Sequence, residues 1–252
     1  MKPALILQLR PEDDASDGEY RAFLDKGGLA EGDAVRHRLE AGALPDGFTL
    51  DDYSAVIVGG GPGCVSDDPA TRDPIEARAE AEILSLLPEI IRRDMPFLGC
   101  CAGIGILAHH LGGEVSKARY GEPVGAVPAT VTETGRDDPL LAGLPEQFDV
   151  LVGHKEAVQS LPEGAVHLMA AESCPVQMIR VEANIYATQF HPEADGAVFA
   201  ERIRIYRGHG YFPPEEAAAL TEAVLATAID QPERILRRFV DRFVKSNPLS
   251  CA

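Results

Sequence analysis

Cys101 lies between Gly99 and Gly103 in the run Phe97-Leu98-Gly99-Cys100-Cys101-Ala102-Gly103-Ile104-Gly105. An apolar strand pattern enters this run and an apolar helical pattern leaves it. A thiol on a sharp strand-to-helix turn is presented to incoming groups, and the helix N-terminus favours its thiolate. Glycines two before and two after relieve the crowding of such a turn, the logic of the nucleophile elbow. Cys100 has Leu98 and Ala102 at those positions, so Cys101 is the candidate nucleophile and Cys100 its buried neighbour. On this motif alone, two small buried thiols at a tight turn remain the plain alternative.

A nucleophilic thiol needs a base, and the base needs an orienting group. The segment Gln189-Phe190-His191-Pro192-Glu193 offers both after the apolar run that starts at Ile185. Residues i and i+2 of an extended chain point to one side. Pro192 biases His191 toward the extended region. Glu193 can then hold the imidazole in one tautomer. A structural histidine is the alternative, and the elbow cysteine elsewhere in the chain tells against it.

A third segment, Val56-Ile57-Val58-Gly59-Gly60-Gly61-Pro62-Gly63, reads as a strand running into a glycine-rich turn. It fits neither a phosphate loop nor a dinucleotide fingerprint. Its exposed backbone N–H groups, with the amide after Cys101, can hold a developing oxyanion. Alone, the segment is equally a plain tight turn.

These groups require a scaffold. Short apolar runs alternate with helical patterns, which predicts an α/β fold with an open, mostly parallel sheet and helices on both faces. Strands are expected at Ala4–Leu9, Ala34–Arg38, Ala55–Val58, Pro96–Cys100, Val127–Val131, Phe148–Val152, Val166–Ala170, Val176–Ile179 and Ile185–Phe190. One helix is expected from near Asp17 to Gly27, and another from Pro74 that breaks or restarts at Pro88. A short helix over Gly103–Leu111 should stop at Gly112-Gly113. The acidic stretch Pro11–Asp17 reads as a solvated loop, with a lid over the site as the alternative. Residues 1–195 are expected to form the main domain. Residues 196–252 are expected to add a helical appendix packed on it, with helices at Ala197–Tyr206, Pro214–Ile229 and Pro232–Lys245; a partner-docking element is the alternative.

The chain has 252 residues, 40 Asp and Glu against 23 Lys and Arg, and a formal charge of −17. That balance disfavours nucleic acid and anionic membrane as partners. No apolar run approaches the ~20 residues of a membrane span, and the N-terminal run is too short for a signal peptide. A cytoplasmic protein is expected. Five cysteines (Cys64, Cys100, Cys101, Cys174, Cys251) include no CxxC pair and give no disulfide framework. Neither a metal nor a cofactor is expected. His109 and His110 read as helix-surface or packing residues, and Cys64, Cys174 and Cys251 as unreactive thiols.

Taken together, these segments resemble the class I (triad) glutamine amidotransferases, particularly the glutaminase domain of GMP synthase and its stand-alone relatives. Carrying the resemblance are Val58 to Pro62, Phe97 to Gly103, Leu107 to Gly113, Val150-Leu151-Val152-Gly153-His154-Lys155-Glu156 and Gln189 to Glu193. It covers roughly residues 1–195. It implies that Cys101 attacks the side-chain amide of glutamine, that His191 serves as base and acid, and that Glu193 orients it. Gly61 and Ala102 match the family's oxyanion positions. Gly61, Gly105, Gly153, His154 and Gln189 fall where family members hold the bound amino acid.

Two segments differ from the family pattern. Ile104-Gly105 stand where the family usually has one residue and then Gln. Gly153-His154-Lys155-Glu156 stand where Ser-His-Gly-Asp is common. Hence glutamine, or another γ-glutamyl amide, is the expected substrate. A regulatory module without catalysis and a cysteine peptidase on a related sheet are the remaining alternatives. No phosphate-binding loop is visible, and the stretch after Glu193 is too short for a nucleotide-binding domain. Any ammonia-accepting synthetase is therefore expected on another chain.

Overall fold

The computed structural model describes residues 1–246. The strands are β1 (Ala4–Gln8), β2 (Ala34–Arg38), β3 (Ala55–Val58), β4 (Phe97–Cys100), β5 (Val115–Ser116), β6 (Glu122–Val131), β7 (Gln147–His154), β8 (Ala157–Val158), β9 (Val166–Ala171), β10 (Met178–Val181) and β11 (Ile185–Thr188). The helices are α1 (Asp13–Gly27), α2 (Pro74–Arg92), α3 (Ala102–His110), α4 (Gly196–Ile205), α5 (Ala217–Ala226) and α6 (Gln231–Phe243).

Nine strands form one sheet in the order β2-β1-β3-β4-β11-β10-β9-β6-β7, and β5 pairs with β8 in a separate two-stranded ribbon. From β2 to β11 every pairing is parallel. The pairings from β11 to β7 are antiparallel. As a result only β10 and β6 run against the rest, and the sheet is mixed but mostly parallel.

Strand alternation shows why the central runs are apolar throughout. In β1, Ala4 and Ile6 enter one core, whereas Leu5 and Leu7 enter the other. In β3, Ala55 and Ile57 face the first core, and Val56 and Val58 face the second. The first core also takes Phe23 of α1 and Ile235, Leu236 and Phe239 of α6. The second takes Ile83, Leu87 and Ile90 of α2 and Ile104 and Leu107 of α3. A strand buried on both faces has no polar side to show.

Three expectations are corrected. The acidic stretch is no loop: α1 begins at Asp13, and Asp13 and Asp14 occupy its first turn, where negative charge complements the helix dipole. Pro88 does not break α2. It lies on the exposed side, so the Leu84 carbonyl that loses its N–H partner can turn to water while Leu87 and Ile90 hold the helix on the core. The ribbon β5-β8 has no counterpart among the expected strands. Cys251 lies outside the described residues.

Candidate active site

β3, β4 and β11 are adjacent and parallel, with Val58 opposite Gly99 and Thr188 opposite Cys100. The three segments picked out by their residue types therefore emerge side by side past the carboxyl ends of these strands. That is where open α/β sheets place ligand sites.

At the end of β4, Cys100 stays in the first core and the chain turns at Cys101 into α3. Cys101 has φ 53° and ψ −95°, a conformation costly for a residue with a side chain. Two bonds hold it: its N–H donates to the Thr188 carbonyl at 2.8 Å, and its carbonyl accepts from Ile104 N–H at 3.1 Å. Gly99 makes the turn possible, since a Cβ there would meet the Gly103 backbone at 2.8 Å. Gly103 is different. A Cβ on it would find only ordinary contacts of 3.6 Å with Val58, so its own lack of a side chain is not what relieves the turn.

His191 Nδ1 lies 2.8 Å from Glu193 Oε1, with both side chains buried. The Nδ1–H donates to the carboxylate, which leaves the Nε2 lone pair to take a proton. Burial works against the charge on Glu193, but His191 and Arg202 outweigh it and hold this carboxyl well below the usual range. Burial lowers the His191 pKa, and Arg202 adds to that against the opposing pull of Glu193. Burial also pushes the Cys101 thiol up to about 11, with Arg10 and Arg202 pulling it down and Glu193 pushing it up. At neutral pH the resting pair is thus thiol and neutral imidazole. Cys101 and His191 line one cavity, and no hydrogen bond joins them among the described residues.

Arg202 of α4 is not marked out by the sequence. Its Nη2 donates to Glu193 Oε1 at 2.8 Å and lies 3.9 Å from Glu19 Oε1. Glu19 on α1 is fully buried, accepts from Arg10 Nε at 2.8 Å and from Gly60 N–H at 3.1 Å. A chain of alternating charge thus runs from the histidine's orienting acid to the glycine turn. Gly60 must be glycine here: a Cβ would lie 2.6 Å from Arg10 Nη2 and 2.8 Å from His191 Cε1. These links join α1, α4 and the ends of β1, β3 and β11, so only the folded chain reveals them.

A second cavity, about 390 Å³ with its mouth, adjoins the first, sharing Gly61, Cys101, Gly153 and Tyr211 with it. Gly61, Ala102, Gly105, Gly153, His154 and Gln189 all line it. Ala102 opens α3, so its N–H has no acceptor within the helix. The place beside Gly105 is occupied by a carboxylate: a Cβ there would lie 3.0 Å from Glu156 Oε1. Glu156 accepts from Val65 N–H and Ser66 N–H at 3.0 Å each and from the Ser66 hydroxyl at 2.7 Å. His154 has no free nitrogen to offer. Its Nδ1 lies 2.8 Å from the Glu156 carbonyl and its Nε2 lies 2.8 Å from Glu122 Oε2. Gln189 is 2% exposed, and its Oε1 has no partner among the described residues. Glu122, His154 and Cys174 do converge, but Glu122 is fully engaged by His154, Gln177 and Ser173, and burial pushes the Cys174 thiol up to about 12. Glu122 and His154 thus sit in a hydrogen-bond network, and the Cys174 thiol donates to the Val176 carbonyl at 3.7 Å and to neither of them.

A family model described as glutamine amidotransferase class-I matches residues 34–204. The chain belongs to the class I glutamine amidotransferase family. Among relatives of this amidotransferase, the glutamine-hydrolysing GMP synthase of Thermosipho africanus is 34% identical over 154 residues, covering 60% of this chain and 26% of that protein. The GMP synthase of Lactobacillus delbrueckii subsp. bulgaricus is 35% identical over 156 residues, covering 60% and 27%. The chain spans about a quarter of the length of these curated relatives. A glutamine amidotransferase structure from Thermotoga maritima superposes with a TM-score of 0.76 at 19% identity, covering 98% of this chain and 100% of the other. A glutamine amidotransferase structure from Methylobacillus flagellatus gives 0.70 at 20% identity, covering 100% and 99%. These last two likenesses establish the amidotransferase fold. No helix among the described residues is long and apolar enough to cross a membrane.

Proposed function

We propose that this amidotransferase hydrolyses the side-chain amide of glutamine through a γ-glutamyl thioester on Cys101. The observation that carries the reading is the strained elbow of Cys101 sharing a cavity with His191, whose Nδ1 is held 2.8 Å from Glu193.

Cys101 Sγ attacks the γ-carbonyl carbon as its proton passes to His191 Nε2. The oxyanion lies against the backbone N–H groups of Gly61 and Ala102. The C–N bond then breaks, and the nitrogen takes the proton from His191 and leaves as ammonia. Water, deprotonated by His191, attacks the thioester and frees glutamate and the thiol. Glu193 stays ionised and steadies the imidazolium formed in each half. Arg202 on α4 supports Glu193, so we place the described residues from 196 to 246 in the same working unit as residues 1–195. The four thiols at Cys64, Cys100, Cys101 and Cys174 are all unpaired, which suits a reducing cytoplasmic setting.

Purified protein incubated with glutamine should release glutamate, and Cys101→Ala should abolish the release. Release that survives this substitution would overturn the assignment.

A second reading, hydrolysis of a different γ-glutamyl amide by the same triad, is favoured by Gly105. The family's usual Gln is missing there, and the Glu156 carboxylate fills the space.

A further inference from the structure

The cavity on the His191 side of Cys101 is about 450 Å³ with its mouth. Its position assigns its role. Under the thioester reading, the carbonyl oxygen and the glutamyl part belong to the adjoining cavity, which shares Gly61, Cys101, Gly153 and Tyr211 with this one and alone reaches Ala102 and Gly105. Of the two cavities, His191 lines only the larger. A general acid must stand beside the atom it protonates, so the leaving nitrogen and whatever it carries point this way.

Ammonia occupies about the space of one water, roughly 30 Å³ of liquid volume. The cavity opens to solvent at its mouth, so a longer group can extend outward from it, and it has its own chemistry. Val124, Phe199, Ile203 and Phe212 give it an apolar wall, and Arg10 and Arg202 give it two guanidinium groups; no carboxylate lines it. Arg202 is 7% exposed, and its Nε and Nη1 have no partner among the described residues. Unpaired buried donors of a cation are costly, and an anionic acceptor satisfies them. Arg10 spends Nε on Glu19 and Nη1 on the Tyr206 hydroxyl, while its Nη2 lies toward Gly60 and the His191 ring.

We propose that this cavity is a leaving-amine subsite for an amine that bears a carboxylate, so that the preferred substrates are γ-glutamyl amides of amino acids. The proposal rests on the thioester reading above and names the substrate class of that site. Sγ of Cys101 forms the thioester as the amide C–N bond breaks. His191 returns the thiol proton to the departing nitrogen, and a free amino acid leaves in place of ammonia. Water then releases glutamate. The apolar wall holds the amino acid side chain, and the arginines hold its carboxylate.

The test compares glutamate release from four substrates by the purified protein: glutamine, γ-glutamyl-leucine, γ-glutamyl-alanine and the decarboxylated counterpart γ-glutamyl-isopentylamide. A charge-assisted hydrogen bond is worth about a tenfold effect or more. We expect kcat/KM for γ-glutamyl-leucine to exceed that for the isopentylamide and for glutamine by at least about that factor. Arg10→Gln should shrink the first ratio, and Arg10→Lys should restore part of it. Val124→Phe should lower the ratio of leucine amide to glutamine by filling the apolar wall. The wild-type comparison stands even where a variant does not fold. Hydrolysis of glutamine in preference to every substituted amide overturns the subsite and leaves the thioester reading intact. Release from none of the four, with Cys101 inert to a glutamine-like diazoketone, overturns both.

Discussion

Arg202 Nη2 and Glu193 Oε1 are 2.8 Å apart, and the same carboxylate oxygen accepts from His191 Nδ1 at 2.8 Å. One oxygen therefore serves the imidazole and a guanidinium from a different helix. Arg202 is a positioning residue: it acts on the histidine through Glu193. Burial lowers the His191 pKa and Arg202 adds to the lowering. Arg202→Met should raise that pKa, so the acid limb of kcat/KM should move to higher pH. The rate at its optimum should fall by about tenfold or more. Arg202→Lys, which keeps the charge, should recover part of both. An acid limb that stays in place in Arg202→Met would contradict this role.

The Cys101 thiol is pushed up to about 11, chiefly by burial. A raised pKa means that thiolate is scarce at neutral pH and grows as pH rises. In the absence of substrate, alkylation by iodoacetamide should climb about tenfold per pH unit across the neutral and mildly alkaline range. A rate already level above pH 7 would show a preformed thiolate and contradict this reading.

The fold could be read largely from apolar runs. The expected bounds of β2 and β3, Ala34–Arg38 and Ala55–Val58, are those observed; for β3 the reason is that an all-apolar run of four between turn signals has few other solutions. β6 extends back to Glu122, well before the expected Val127, because its first half is only partly buried and carries no apolar signature. His191 and Glu193 could be found because they are two positions apart, but the reason differs from the expected extended chain: Pro192 and Glu193 form a turn, closed by Ala194 N–H on the His191 carbonyl at 3.2 Å. Arg10, Glu19 and Arg202 could not, since each lies on a different element and their pairing is purely tertiary. Glu156 lies in one of the family-like segments, but its place beside Gly105 depends on the fold.

The two elbow glycines are not equivalent. A Cβ at Gly99 collides with backbone, and one at Gly103 does not. Gly99→Ala should cost about 2 kcal/mol or more, the scale of forced overpacking. Gly103→Ala lies within α3, where alanine gains up to about 1 kcal/mol in helix propensity, and should be near neutral. Urea denaturation of both variants checks this, and equal losses would contradict the packing argument.

Gly105 and Glu156 should be energetically coupled. Gly105→Ala brings a methyl group to 3.0 Å from Glu156 Oε1 and should destabilise the wild-type background. Glu156→Ala alone leaves the buried amide of Val65 without an acceptor, at about 1–3 kcal/mol, while the amide of exposed Ser66 can turn to water. The double variant should be more stable than the sum of the two changes implies. Additive losses in a denaturation cycle would show that the carboxylate does not occupy the space beside Gly105.

The most direct test of the central claim is the intact mass of the protein after acid quenching during turnover of a γ-glutamyl amide. Wild type is expected to carry one glutamyl adduct, mapped to Cys101 and absent from Cys101→Ala. Glutamate release without any adduct, or an adduct that persists in Cys101→Ala, would contradict it.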